Sequence, residues 1–172
     1  PAWAPPGPQQ RYELLQAVIE RQASLIARKL GEAGIGAFAH KRYIEHAGAP
    51  TQATDLLAHR LIGFDSDDSM LLGFRRLGAA VTREHFALRS DDHILHWEAV
   101  RAGLGIGFTS TWLAQRDAAL VRLLPSLAIP PLPVWLTTHR ELHGSPRIRV
   151  VFDFLAAALP TAMKLGTAPT AL

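Results

Sequence analysis

The 172-residue chain has no cysteine. No disulfide can brace it, and a reducing compartment suits it. No apolar run approaches the roughly 18 residues that cross a bilayer. The N-terminus lacks a basic region followed by an apolar stretch, so no membrane span and no secretory signal is expected, and the chain is placed in the cytoplasm. Charge is sparse as well: 18 basic against 15 acidic side chains give a net +3. The arginines are scattered, which excludes the basic footprint of a nucleic-acid surface. No internal repeat is present. What the chain does have is apolar residues, 48% of the total. That is enough for a real core and too many for disorder, in a length that fits one domain or a two-lobed one.

Residues 1–8, rich in proline, read as a loose arm, because proline removes backbone donors. Leu14, Leu15, Val18 and Ile19 repeat at helical spacing within Tyr12 to Ala23,. Strands are expected at 25–27, 35–39, 59–64 and 134–138, and short helices at 41–46 and around 54–57. Residues 71–81 read as a strand followed by a turn at Gly78. Near the C-terminus, Ser145 and Pro146 open a helix. Its stripe of Ile148, Val151, Phe152, Leu155 and Leu159 predicts one buried face, and Pro160 is expected to end it. Strands alternating with helices predict an α/β fold with a mostly parallel sheet.

The stretch from His85 to Trp112 organises the rest. Phe86–Leu88 reads as a strand, Ser90 as a helix N-cap, and Asp91 and Asp92 as first-turn acids, where negative charge is favoured. Ile94, Leu95, Ala99 and Ala102 form the helical stripe, and Gly103 ends it. Ile106–Phe108 is the next strand, and Thr109, Ser110 and Thr111 offer a second N-cap. The two strands are expected to be parallel neighbours joined by a right-handed crossover. Ligands bind beyond the carboxyl ends of such strands. Both ends here carry hydroxyls.

Several candidate chemistries have plainer readings. Gly103, Gly105 and Gly107 follow a helix and open a strand, the reverse of a dinucleotide fingerprint, so helix stop and tight turn explain them. His93 and His96 share a helix face, but no third ligand sits at a telling spacing, so no metal is expected. His139 and His143 carry the same discount. The acidic run Asp65 to Asp68 resembles a calcium loop but lacks its glycine and terminal glutamate, and reads as a solvated loop. Gly107 to Thr111 lacks the central serine of a nucleophile elbow. A small hydrolase or transferase using the His and Asp residues near 91–96 remains the alternative from another class. A transport-type solute-binding protein is disfavoured by the missing signal peptide.

Taken together, several runs resemble the effector-binding domain of LysR-type transcriptional regulators. These are Leu25 to Gly31 with Gly34 to Ala39, Tyr43-Ile44, His46 to Pro50, and Asp55-Leu56 with His59. Arg89-Ser90-Asp91 leads on to Ala99 to Ile106. Leu132 to Leu136, His139 to Leu142, Ser145 to Arg149 and Phe152 to Leu155 complete the set. The resemblance runs from about Gln22 to Leu159. It implies a periplasmic-binding-protein-like (type 2) domain of two α/β lobes, with a small effector held in the cleft between them. The second lobe would span about 38–108 and the C-terminal part of the first lobe 109–159, flanked by an atypical segment 1–21 and a tail 160–172. The strands crossing between lobes would lie near 37–40 and 108–110.

The family joins such a domain to a winged helix-turn-helix and assembles as homodimers or tetramers. No such DNA-binding segment precedes this domain, so DNA contact would need one outside this chain, and the first lobe is expected to be incomplete. The resemblance implies an effector sensor, not an enzyme, that needs no cofactor. It places Phe38, His40, Ser90, Asp91, Phe108, Thr109 and Ser110 at the effector site. Ser110 stands where relatives often have proline, which makes the site more polar. Asp91 and Asp92 would repel an anion beside Ser90, whereas the Thr109–Thr111 end carries no acid, so an effector carboxylate is expected there.

Overall fold

The computed structural model describes residues 24–76 and 78–167. The predicted helix over Tyr12 to Ala23, the loose arm before it and the last residues of the tail lie outside them. In chain order the elements are β1 (Leu25–Ala33), β2 (Ile35–His40), α1 (Lys41–Ala47), a 3-10 turn (Ala53–Ala58), β3 (Leu61–Gly63), α2 (Ser69–Arg76) and a second 3-10 turn (Arg83–His85). They continue as β4 (Phe86–Arg89), α3 (His93–Arg101), β5 (Gly107–Ser110), α4 (Thr111–Ala114), β6 (Leu120–Leu123), β7 (Leu132–His139), α5 (Arg140–His143) and α6 (Pro146–Thr167). The chain divides into two compact units. One is Ile35–Pro130; the other combines the described parts of Pro1–Gly34 and Pro131–Leu172.

The Ile35–Pro130 unit is an α/β layer. β3 pairs in parallel with β4, and Leu61 forms a parallel bridge to Ile106, just ahead of β5. β3 therefore lies between the strands at 86–89 and 107–110. They are parallel, as expected, but not neighbours, which corrects the sequence reading. The reason lies in β3, far from either strand in sequence: the run around Leu61 and Ile62 is apolar on both faces and takes the fully buried central place,. β2 runs antiparallel to both β5 and β6, so the layer is mixed. Its core joins Ala37, Ala39, Leu56, Leu61, Phe74, Val81 and Ile106, and a second cluster gathers Phe38, Ile62, Ala99, Val100 and Ala114.

Local chemistry explains most helix ends. His40 caps α1 by accepting from the Arg42 amide at 3.1 Å. Gly103, at φ 75°, closes α3: its N–H reaches the Val100 carbonyl and that of Leu104 reaches Ala99, a Schellman pair. Gly105 lies so close to the Arg60 carbonyl, and Gly107 to the Val100 side chain, that a Cβ at either would collide. Helix stop and close backbone approach account for this glycine run.

Three further expectations change. Residues 69–76 form a helix, not a strand; Phe74 is its buried side chain and Arg75 and Arg76 sit in its last turn, where cations are favoured. The cap of α3 is Asp92, whose carboxylate accepts from the Ile94 and Leu95 amides; Ser90 lies two residues earlier. The buried stripe of α3 is His96, Ala99 and Val100, while Ile94 and Leu95 face solvent.

The second unit pairs β1 and β7 antiparallel from Leu25↔His139 to Ala33↔Leu132, with a shift between Lys29 and Gly31. The Ser145 carbonyl accepts the first helical bond of α6, from Arg149. Contrary to expectation, α6 runs through Pro160 to Thr167. Losing one backbone bond there costs about 3 kcal/mol, and burial of Ala156 and Met163 on either side of the proline offsets it. The buried face of α6 is Phe152, Ala156 and Met163, whereas Val151 and Ile148 of the predicted stripe are exposed. Among the described residues no helix is long and apolar enough to cross a membrane.

Candidate functional site

The parallel run of β3, β4 and β5 brings their carboxyl ends to one edge of the Ile35–Pro130 layer. Gly63 pairs with Arg89, and the Ser90 amide donates to the Gly63 carbonyl at 3.0 Å. On the other side of β3, the Ile62 amide donates to the Ile106 carbonyl, so β5 leaves the layer in the same direction at Thr109 and Ser110. β2 runs the opposite way, and its first residues close the edge: Ile35 pairs with Ser110 and Gly36 with Thr109. A Cβ at Gly36 would meet the Phe38 ring at 2.8 Å. Only glycine lets that strand pass here.

Each predicted site residue now has a place. Ser90 ends β4; its hydroxyl accepts from the Asp92 amide at 3.1 Å, and its carbonyl accepts from His96 Nε2 at 2.6 Å. Asp91 accepts from the Asp65 and Ser66 amides, both at 3.1 Å. The bond from the Ser66 backbone, chiefly, holds its carboxyl below the ordinary range, so Asp91 stays ionised. Arg89 reaches across to Asp65 in an ion pair. Together they fasten the loop after β3 to the loop after β4. Thr109 and Ser110 are half-buried on β5, and Ser110 stands at the start of α4 without a side-chain capping bond.

Phe38 is 2% exposed, inside the core cluster with Ile62 and Val100. Phe108 meets the Phe74 ring edge-on at 5.3 Å. His40 pairs with Leu120 at the far end of β2. Four residue steps of strand separate it from Gly36, about 13 Å along the chain. The structure therefore gathers Ser90, Asp91, Thr109 and Ser110 along one edge, sets Phe38 and Phe108 in the layer beneath, and puts His40 at the opposite end.

The alternative acid–base set is otherwise engaged. Asp92 caps α3. His96 Nε2 donates to a carbonyl, and its ring lies 4.8 Å from that of Phe64. His93 meets the same ring edge-on at 5.2 Å. Among the described residues no group of three or more His, Cys, Asp or Glu side chains could hold a metal. In the acidic loop, Asp68 pairs with Arg83 at 2.7 Å.

Two groups at this edge escaped the sequence reading. Arg89 Nε and Trp112 Nε1 are buried N–H donors with no hydrogen-bond partner; one directly precedes Ser90 and the other follows Ser110 by two residues. The Arg116 guanidinium lies 4.5 Å from the centre of the Trp112 ring. The only signal in the sequence was position: an arginine at a strand's last residue, and a tryptophan just inside a helix start. Buried donors left without an acceptor are costly.

The model of the LysR substrate binding domain matches residues 14–160 of the chain. Among solved structures, the regulatory domain of CrgA, a LysR-type transcriptional regulator from Neisseria meningitidis, is 24% identical, with a TM-score of 0.67 over 80% of this chain and 70% of that one. The AmpR effector binding domain from Citrobacter freundii is 17% identical, with a TM-score of 0.61 over 81% and 70%. The regulatory domain of AphB from Vibrio vulnificus is 24% identical, with a TM-score of 0.55 over 78% and 70%. The chain spans about half, 49%, of the longer CrgA structure. A search of curated proteins found no match. At these identities the neighbours establish the fold, a type 2 periplasmic-binding-protein-like α/β architecture; the family match covers most of the chain. It belongs to the LysR substrate-binding domain family, the effector-sensing domain of LysR-type transcriptional regulators.

Proposed function

We propose that this domain binds a small carboxylate at the carboxyl edge of the β3–β4–β5 run and releases it unchanged. Thr109 and Ser110 supply hydroxyls, Phe38 and Phe108 support them from below, and Asp91 positions the neighbouring loop. The observation that carries this reading is the pair of buried, unpartnered donors, Arg89 Nε and Trp112 Nε1, flanking those hydroxyls in sequence. An acceptor-rich anion would satisfy both. Asp91 is ionised and fastened beside Ser90, so the anion belongs nearer β5 than β4. Binding without turnover accords with Asp91, Asp92 and His96 all serving backbone groups. In the complete regulator, a winged helix-turn-helix outside this chain would carry the DNA contact. Effector binding would bias a cytoplasmic homodimer or tetramer between two transcriptional states.

Thermal shift with a panel of small mono- and dicarboxylates, each beside its neutral amide, tests this. A ligand at a hundred times its Kd raises stability by about 2.7 kcal/mol. Acids should shift the transition and amides should not. Thr109→Val and Trp112→Phe should each erase the shift, while Ser90→Ala should leave most of it. Equal loss from Thr109→Val and Ser90→Ala, or a shift with amides as large as with acids, would refute the assignment.

A further inference from the structure

Helix α6 is apolar on two sides. The helix packs on β1 and β7 and buries Phe152, Ala156 and Met163, yet Val150, Val151 and Phe154 stand 69%, 55% and 67% exposed. At 100° per residue, Val150 and Phe154 share a row roughly opposite Phe152. Leu142, on α5, is 55% exposed as well. A cluster of exposed large apolar side chains marks an interaction surface.

We propose that the chain's own residues 14–19 are the cover, laying Leu14, Leu15, Val18 and Ile19 against Val150, Val151 and Phe154. Three observations select this occupant. The first is where the preceding chain enters: the Ser24 carbonyl accepts from the Arg140 amide at 2.6 Å. Ser24, where the described residues begin, therefore sits beside α5, which leads into α6, and the exposed row falls within the first nine residues of that helix. The second is reach. Ile19 precedes Ser24 by five residues, a span of up to about 17 Å, while Phe154 lies eight residues into α6, about 12 Å along its axis. The third is matching chemistry: the stripe 14, 15, 18, 19 has helical spacing and is flanked by Glu13 and Glu20, while Arg147 and Arg149 flank the exposed row. The family match also begins at residue 14, which places this stretch inside the domain.

The absence of native cysteine gives a clean test on the full chain. Two double variants are made, Val18→Cys with Phe154→Cys and Leu15→Cys with Val150→Cys, and far-UV circular dichroism checks the fold of each. A disulfide forms only when the two Cα atoms come within about 7 Å. At least one pair should close within a single chain under mild oxidation, giving a faster non-reducing band of monomer mass. Crosslinking only between chains would assign the face to a second copy and overturn the proposal; so would no crosslink in either pair. If the cysteine variants fail to fold, Phe154→Ser should lower the midpoint of thermal unfolding by about 3 °C in the parent chain. It should lower it no further in a Leu15→Ser, Val18→Ser background. Equal losses in both backgrounds overturn the docking.

Discussion

Leu61, Ile62, Ala79, Val81 and Ile106 of the Ile35–Pro130 unit are all exposed by 1% or less, whereas the best covered side chains of the other unit, Ala156, Phe152 and Met163, retain 3–7%. Similar residues are buried to different depths because the elements differ in reach. In the first unit an apolar central strand is flanked on both sides, and α3 closes over it. In the second, a two-stranded ladder leans on one long helix, and two strands alone hold little core. The unit with many short elements is the better packed, and it carries the polar edge proposed to hold the ligand.

The sharpest way to break this comparison is to truncate one side chain in each unit. Leu61→Ala empties a site at the centre of the layer and should cost about 3–4 kcal/mol. Leu132→Ala trims a side chain on β7 that is 46% exposed and should cost less than about 0.5 kcal/mol. Urea denaturation of both variants measures the difference. Similar costs would mean that the second unit is packed as tightly as the first.

Glycines sharpen the contrast at a smaller scale. Gly105→Ala drives a Cβ into the Arg60 carbonyl, which cannot swing away as a side chain end could. It should cost about 2 kcal/mol. Gly144, in the other unit, has its nearest neighbour at 3.5 Å and a helical φ of −63°. Gly144→Ala should be neutral or stabilising by up to about 1 kcal/mol. If both glycines tolerate alanine equally, the close approach of the two chain segments at Arg60 is not a constraint.

The parts of the fold legible in the sequence were those set by local chemistry. Gly103 ends α3, Pro146 opens α6, and the hydroxyl-bearing ends of β4 and β5 leave the layer at one edge, each as its own residues dictate. The misread parts depend on partners far along the chain. Nothing near Phe86 or Ile106 reveals that β3 will insert between them. The stripe Ile94, Leu95, Ala99 is as periodic as His96, Ala99, Val100, and only the packed layer decides which face turns in. Pro160 breaks an isolated helix, yet α6 continues because Met163 gains cover beyond it. At the candidate site, the strand-end places of Thr109 and Ser110 could be read from the sequence, whereas the capping role read for Ser90 falls to Asp92. Arg89 Nε and Trp112 Nε1 could not, since an unpartnered donor exists only after everything around it has folded.

Capping offers a finer test, at about 1 kcal/mol. Asp92 satisfies two amides of α3, at 2.8 and 3.3 Å, so Asp92→Ala should destabilise by about that amount. Ser90 accepts one amide outside the helix, and Ser90→Ala should cost only a few tenths of a kcal/mol. In the other unit, Pro160→Ala restores a donor within α6 and should stabilise by up to about 3 kcal/mol. Thermal unfolding reads all three. A larger loss from Ser90 than from Asp92 would return the cap to Ser90.

The smallest expected effect is a dependence on pH that belongs to the Ile35–Pro130 unit. The Arg60 amide donates to the Tyr43 hydroxyl at 2.9 Å, which leaves the hydroxyl hydrogen available to the Nδ1 of a neutral His59, 3.1 Å away. His59 must be neutral at Nδ1 to accept it. Burial pushes its pKa below the ordinary 6.5, against the pull of Asp55. A depressed histidine binds its proton more tightly when unfolded, so its contribution is complete above pH 6.5 and is lost as pH falls through the folded value. Asp55 adds a second, lower step: hydrogen bonds led by the Thr51 amide hold it at about 2 against an ordinary 3.8, so its contribution fades between those values. Unfolding midpoints in urea, measured from pH 8 to pH 3, should show the first decline setting in below pH 6.5. His59→Gln should flatten that decline and leave the acid step in place. If the first decline persists in His59→Gln, another group carries it, and the Tyr43–His59 contact is not the source of the pH sensitivity.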